Sequence, residues 1–323
     1  MVGWASLLAI VAAACVQAAP ITMVQSNSAS GSSWLNTASW SNAAAPSAGN
    51  TYFVTGTTFT VRSPQSAAAS YTFGGDSLTV NNARLLFATL GGSNITVNNL
   101  TLTNGGMLSN GTTATQVLQG TLAINGSAFV RLHTVGAETG RNITIASQIS
   151  GNGSVGLIQK GTLSLTGVGN TFNGTWTVGG IGVTIPDGTY SNSSSLISSL
   201  VGSSAGSLGV DSNVTLNIWS RFDVNYDWST AGALTLASNG GSATAIIMTL
   251  DQNITVGALT VAGFSFGSGT YDYNALSTLG YADYFTNNGG SITVVPEPHS
   301  VALLALGSVG VMLWGRRLRN RLG

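Results

Sequence analysis

The densest group of chemically capable side chains is Arg221-Phe222-Asp223-Val224-Asn225-Tyr226-Asp227-Trp228. On an extended strand, Asp223, Asn225 and Asp227 share one face, and Tyr226 or Trp228 is placed to stack on a sugar ring. Two carboxylates roughly 5–10 Å apart are what glycoside hydrolysis requires. The same Asp-x-Asn-x-Asp run opens like a Ca²⁺ loop. However, Trp228 stands where that loop needs glycine, and Leu234 stands where it needs a bidentate glutamate. The residue types therefore favour a solvated strand face over a Ca²⁺ or sugar contact, and either of these over catalysis.

Other chemistries lack their parts. The single cysteine, Cys15, falls in an apolar N-terminal run, so the chain beyond it has no disulfide, thiol nucleophile or thiolate metal site. His133 is the one histidine outside the C-terminal tail, where His299 abuts an apolar segment. No Ser/His/Asp arrangement is readable, and the glycines are dispersed instead of leading into Gly-Lys-Ser/Thr before a helix. The expectation is a chain that is not an enzyme and has no cofactor and no metal.

Residues 2–15, VGWASLLAIVAAAC, are apolar but short for a bilayer span, and small residues follow at Val16-Gln17-Ala18 before Ala19-Pro20. This reads as a secretory signal peptide over 1–18, cut between Ala18 and Ala19. No Lys or Arg precedes the run, so the α-amino group supplies the charge or the true start lies upstream. A buried N-terminal strand is the plainer alternative. A lipoprotein reading of Cys15 lacks the leucine expected three residues before it.

At the other end, Val295-Pro296-Glu297-Pro298 leads into the apolar run 301–315, which is closed by Arg316, Arg317, Arg319 and Arg321. Proline on both sides of Glu297 holds the backbone extended and accessible to a processing enzyme. As a helix the run spans roughly 22 Å at ~1.5 Å per residue, short of a ~30 Å hydrocarbon core, with the arginines snorkelling on the cytoplasmic side. This predicts one short C-terminal transmembrane helix with the body outside. A core helix would not carry the abutting basic cluster.

This three-part order over 296–323 resembles the PEP-CTERM sorting signal of diderm bacteria that make exopolysaccharide. The resemblance implies recognition of Pro296, Glu297 and Pro298 by an exosortase, a membrane cysteine transpeptidase. It also implies inner-membrane anchoring, or release to the cell surface or extracellular matrix.

The segment between these ends is built to be β. Charged residues are 6% of the chain, against roughly 25% in an average soluble protein. Lys160 is the only lysine, and Glu138 and Glu297 are the only glutamates, so helix-stabilising ion pairs at i,i+4 are nearly unavailable. Thr, Val, Ile and aromatics punctuated by Gly and Asn favour short strands and tight turns. Between Ala19 and Val295 six basic residues face nine acidic ones, a net charge of about −3. That is the wrong sign for a nucleic-acid binder, and none is expected as a partner.

Short segments recur. Ser77–Asn82 matches Asn94–Asn99 at an offset of 17, Leu100–Leu102 matches Leu122–Ile124 at 22, and Gly120–Gly126 matches Gly161–Gly167 at 41. Asn253–Val261 echoes residues 94–102. A loose period near twenty, with strands of four or five alternating residues, suits a solenoid of parallel strands with Gly and Asn at its corners. Trp34 and Trp40 with Pro46 and Gly49 read as an opening coil.

Residues 149–182 resemble the autotransporter-associated β-strand repeat. The fit runs through Gly151, Gly153, Lys160, Gly161, Leu163, Leu165, Asn170, Thr171, Phe172, Gly174, Val178 and Gly179. The resemblance implies a right-handed parallel β-helix and names no activity.

The expected organisation is thus a signal peptide over 1–18, a β-helical body over 19–189, further β-structure over 190–295 and a sorting and anchor segment over 296–323. The function expected is that of an exported structural or adhesive surface protein, linked to extracellular polysaccharide or biofilm matrix. The alternative is a carbohydrate-binding or carbohydrate-active β-helix, marked by paired carboxylates in a groove. An autotransporter passenger is disfavoured, because its membrane barrel would need many alternating strands of about ten residues.

Overall fold

The computed structural model describes residues 20–27, 31–66, 70–132, 141–185 and 188–295. Ala18 and Ala19, Cys15, His133, the Pro-Glu-Pro element, the apolar run and its arginine cluster all lie outside the described residues. Among the described residues, no helix is long and apolar enough to cross a membrane.

The body is a parallel β-solenoid of about eight turns. Each turn visits three faces. The first face carries Ser70–Thr72, the leading halves of Asn94–Thr103 and Gln116–Asn125, then Ile143–Ile145, Gly161–Leu165, Ser198–Gly202, Ser220–Val224 and Ile246–Leu250. The second face begins with Ile21–Thr22, Thr51–Thr55 and Ser77–Asn81 and continues through the trailing halves of the same two long strands to Gln148–Gly151. The first long strand bends from one face to the next at a register shift between Val97 and Asn99, opposite Gly120 of the second, which stands at positive φ. The third face is a ten-stranded sheet that starts with Thr60–Arg62 and runs through Ser154–Ile158 and Asn213–Leu216 to Ala258–Val261 and the returning pair Phe264–Ser265.

Period-two alternation produces this shape. In Ser77-Leu-Thr-Val-Asn81, Leu78 and Val80 point inward while their neighbours point out. The inward residues then stack, turn upon turn: Leu78 on Leu100, Leu100 on Leu122, Leu122 on Ile149, all fully buried. Each such side chain withdrawn from water contributes about 1.5–3 kcal/mol. Parallel strands require crossovers, and here the remaining two faces of the turn are the crossover.

Corners explain the Gly and Asn content. Asn82, Asn104 and Gly126, about 22 residues apart, all adopt positive φ between the second and third faces. Asn and Gly tolerate that left-handed backbone where other residues clash. The Asn104 side-chain amide also donates to the Asn81 side-chain Oδ1 below it at 3.1 Å. At Gly153 and Gly174 the constraint is proximity, since an added Cβ would sit about 2 Å from the carbonyl oxygen of Gly126 and of Gly153, respectively.

Aromatic rings close the N-terminal end. Trp34, Trp40, Tyr52 and Phe73 are fully buried in edge-on contacts with centroids 4.9–6.1 Å apart. The Trp40 indole N–H donates to the Trp34 carbonyl at 2.8 Å. The sequence expectation of an opening coil here is met by a plug.

The strand ladder runs through residue 190 without a break, since Gly161–Leu165 pairs with Ser198–Gly202. The pattern loosens in the sequence because this turn is long. It carries a hairpin, Val183–Ile185 with Gly188–Tyr190, that covers Met107, Phe129 and Ile158 on the outside of the third face. Under it, Arg131 lies 4.2 Å from the Tyr190 ring centroid and donates to Gln159 at 2.9 Å.

Two sequence offsets are not turn steps. Leu78 pairs with Leu100, on the second face, and Ile95 stands on the first face, so the 17-residue match compares neighbouring faces. The 41-residue match likewise sets Leu122, on the second face, against Leu163, on the first. Only the 22-residue offset is a true rung-to-rung register.

Candidate functional site

The acidic segment leaves the first face at a corner. Its strand, Ser220–Val224, ends one residue after Asp223, so Asn225 and Asp227 do not continue the same strand face. Phe222 and Val224 point into the core, and Arg221 and Asp223 point outward, half-buried.

Asp223 has an acidic neighbour that the sequence reading did not single out. Asp251 follows the strand of the next turn, Ile246–Leu250, and comes close enough to raise the Asp223 carboxyl above its ordinary range. Burial is the larger cause, the Asp251 charge the second, and a hydrogen bond from the Val224 backbone opposes both. One oxygen of each carboxylate is buried without a hydrogen-bond partner.

Asp227 spends an oxygen on structure, accepting the Asn253 backbone N–H at 3.0 Å and bracing the next turn. Trp228 is 1% exposed and packs edge-on against Phe222 at 5.8 Å, so it offers no platform for a sugar. The Tyr226 hydroxyl accepts from the Leu208 backbone at 3.4 Å, and burial raises its pKa. The expected shared face of Asp223, Asn225 and Asp227 is thus divided between an outward strand position and a corner. Among the described residues, no group of three or more His, Cys, Asp or Glu is arranged to hold a metal ion.

An open cleft of about 380 Å³ lies on the first face, lined by Lys160, Thr162, Ser194, Ser195 and Ser199. Gln159, at positive φ, turns the chain into Lys160, and the Ser198 hydroxyl donates to the Gln159 carbonyl at 2.6 Å. Ser199 pairs with Arg221 on the next turn. The lining also includes Ile197 and is more apolar than polar, with the Lys160 ammonium and the serine and threonine hydroxyls as its polar groups.

Within 149–182, the residues of the repeat resemblance are corner and core parts. Asn170 is buried; its carbonyl oxygen accepts from the Ile149 N–H at 2.7 Å, and its amide donates to the Ser207 carbonyl at 2.8 Å and the Gly167 carbonyl at 3.2 Å. Phe172 and Trp176 meet in the core as tilted rings with centroids 5.1 Å apart.

The solenoid ends on a strand held from both sides. Ser291–Val294 pairs in parallel with Asn253–Val256 and antiparallel with Gly269–Asp272. The last bond donates from the Val295 N–H to the Val256 carbonyl at 2.9 Å, and Pro296 follows directly. Residues 294–317 match the PEP-CTERM protein-sorting motif. The motif implies an exported protein that an exosortase sorts, membrane-anchored or at the cell surface. The PEP-CTERM match begins at the last residue of the last strand. No curated protein and no solved structure matches the chain, and the autotransporter-associated repeat is not among the matched families.

Proposed function

We propose that this chain is a non-catalytic structural or adhesive protein of the bacterial surface. Its solenoid is a rigid body carried outside the cytoplasm. The signal peptide over 1–18 exports it, the apolar run 301–315 holds it in the inner membrane, and an exosortase-type enzyme acting at Pro296-Glu297-Pro298 passes it to the polysaccharide matrix. The observation that carries this reading is the position of the sorting motif, which starts where the last rung of the ladder ends. Cleavage or transfer there leaves every described strand in place. The non-catalytic part rests on how the acidic segment is used: Asp227 braces a backbone amide, and Trp228 fills the core.

Glu297 carries the only charge between Val295 and the apolar run, apart from whatever His299 bears. In a host with the matching exosortase, Glu297→Ala is expected to accumulate at full length in the membrane fraction. The parent loses the mass of its tail and reaches the cell surface or matrix. Intact mass spectrometry of membrane, surface and matrix fractions reads both. Equal masses and equal distribution for parent and variant would sink the sorting role of Glu297 and leave the tail as a plain anchor.

A further inference from the structure

The tether between body and tail is very short. Only residues 296–300 separate the last described residue, Val295, from the apolar run. Fully extended, five residues reach roughly 17 Å at ~3.4 Å each. Crossing one headgroup layer takes about 5–8 Å of that, the difference between a ~30 Å hydrocarbon core and a 40–45 Å bilayer shared over two sides. While the tail is in the bilayer, the end of the solenoid it leaves therefore stands within about 10 Å of the headgroups.

That end is closed by a cap. It consists of Phe264–Ser265, the strand Gly269–Asp272, the helix Tyr273–Thr278 and the turn Ala282–Tyr284. Leu276 is buried beneath it, so the cap seals the core. Among exposed Ser, Thr, Asn and Asp side chains it presents three large apolar ones, Phe264 and Leu279 each 51% exposed and Val295 45% exposed. The Phe264 ring stacks on Tyr281 at 5.9 Å and meets Phe266 edge-on at 5.1 Å, and Phe266 in turn meets Tyr271 at 5.0 Å. At the opposite end of the solenoid the rings are buried. No Lys or Arg occurs between Arg221 and Val295; the charges of the cap are Asp272, which caps the helix at Ala275, and Asp283.

We propose that this cap is a docking face for the lipid headgroup region. It rests on the anchored-tail reading above. With the tail inserted, Phe264, Leu279, Tyr281 and Val295 settle into the membrane interface, where amphipathic rings are favoured. Docking sets the height at which Pro296-Glu297-Pro298 stands above the bilayer. With no basic residue in the cap, the contact is apolar and aromatic, and zwitterionic lipid satisfies it.

The test uses the full chain with Cys15→Ser, reconstituted in phosphatidylcholine vesicles and carrying one environment-sensitive fluorophore. The label sits at Leu279→Cys or, as a control, at Leu90→Cys, which is 64% exposed on an early turn. Docking predicts blue-shifted emission at position 279 that is quenched by headgroup-level spin-labelled lipid, and water-like, unquenched emission at position 90. Vesicle flotation separates the failures. Protein that floats but reports water at 279 overturns docking and leaves anchoring intact. Protein that does not float removes both. A blue shift at 279 that needs no lipid and resists quenching also overturns docking, because the tail or a second copy then covers the cap.

Discussion

At the scale of single residues, Asp223 is the position whose environment departs furthest from what its sequence neighbours imply. It reads as one of three acceptors on a solvated strand, yet the fold half-buries it beside Asp251 from the following turn. Its carboxyl is raised, so the folded protein holds that proton more tightly than the unfolded chain does. The unfolded state then binds fewer protons, and stability falls as pH rises past the ordinary value of 3.8 toward the raised one. At neutral pH the charged Asp223 opposes folding, and acidification relieves it. Asp223→Asn is therefore expected to melt a degree or two higher than the parent at neutral pH, with the difference vanishing only as the pH falls below the ordinary value of 3.8, in line with a discounted, partly exposed charge. A lower melting temperature for the variant at neutral pH would show that the carboxylate is held by an attraction stronger than its cost. Asp251 had no sequence signal linking it to Asp223, because the pairing depends on a turn length that no local pattern states.

At the scale of strands and corners, the sequence was legible in kind but not in register. Alternation in segments such as Ser77–Asn81 and Asn253–Val256 announced short, half-buried strands, and these are strands. Turn lengths were hidden because all three faces use the same apolar-x-apolar unit, so a self-match does not say which faces it compares. Asn170 shows what the repeat resemblance was registering. One amide ties Ile149 on the turn below, its own corner at Gly167, and Ser207 on the turn above. Removing it leaves a buried N–H and two carbonyls without partners, each costing about 1–3 kcal/mol. Asn170→Ala is expected to destabilise by at least about 3 kcal/mol, lowering the melting temperature by about ten degrees or more. Asn173→Ala, three residues on, where the side chain is exposed, should stay within about 0.5 kcal/mol. Equal effects at the two positions would mean that the corner holds without its amide.

At the scale of the whole molecule, a solenoid is a stack in which each turn contacts its neighbours, so its vulnerable parts are its ends. The scarcity of Lys and Glu made the β class readable, and Trp34 and Trp40 marked an opening coil, whereas the way the rings of the plug and of the cap meet across turns had no local signal. The C-terminal boundary of the fold also decides how separable the sorting motif is. Its match starts at Val294, and Ser291–Val294 lies between two partner strands, so Val294 belongs to the rung and the Pro-Glu-Pro element does not. A chain ending at Val295 keeps every described strand, and its melting temperature should equal that of the full-length protein. A chain ending at Gly290 loses the burial of Ile292 and Val294 and unpairs Asn253–Val256 and Gly269–Asp272 together. At about 1.5–3 kcal/mol per side chain, this costs several kcal/mol and roughly ten degrees of melting temperature. It also bares two strand edges, so self-association should appear by light scattering. Indistinguishable melting curves for the two truncations would show that the last strand is dispensable. The boundary between rigid body and sorting signal would then lie earlier, inside the cap.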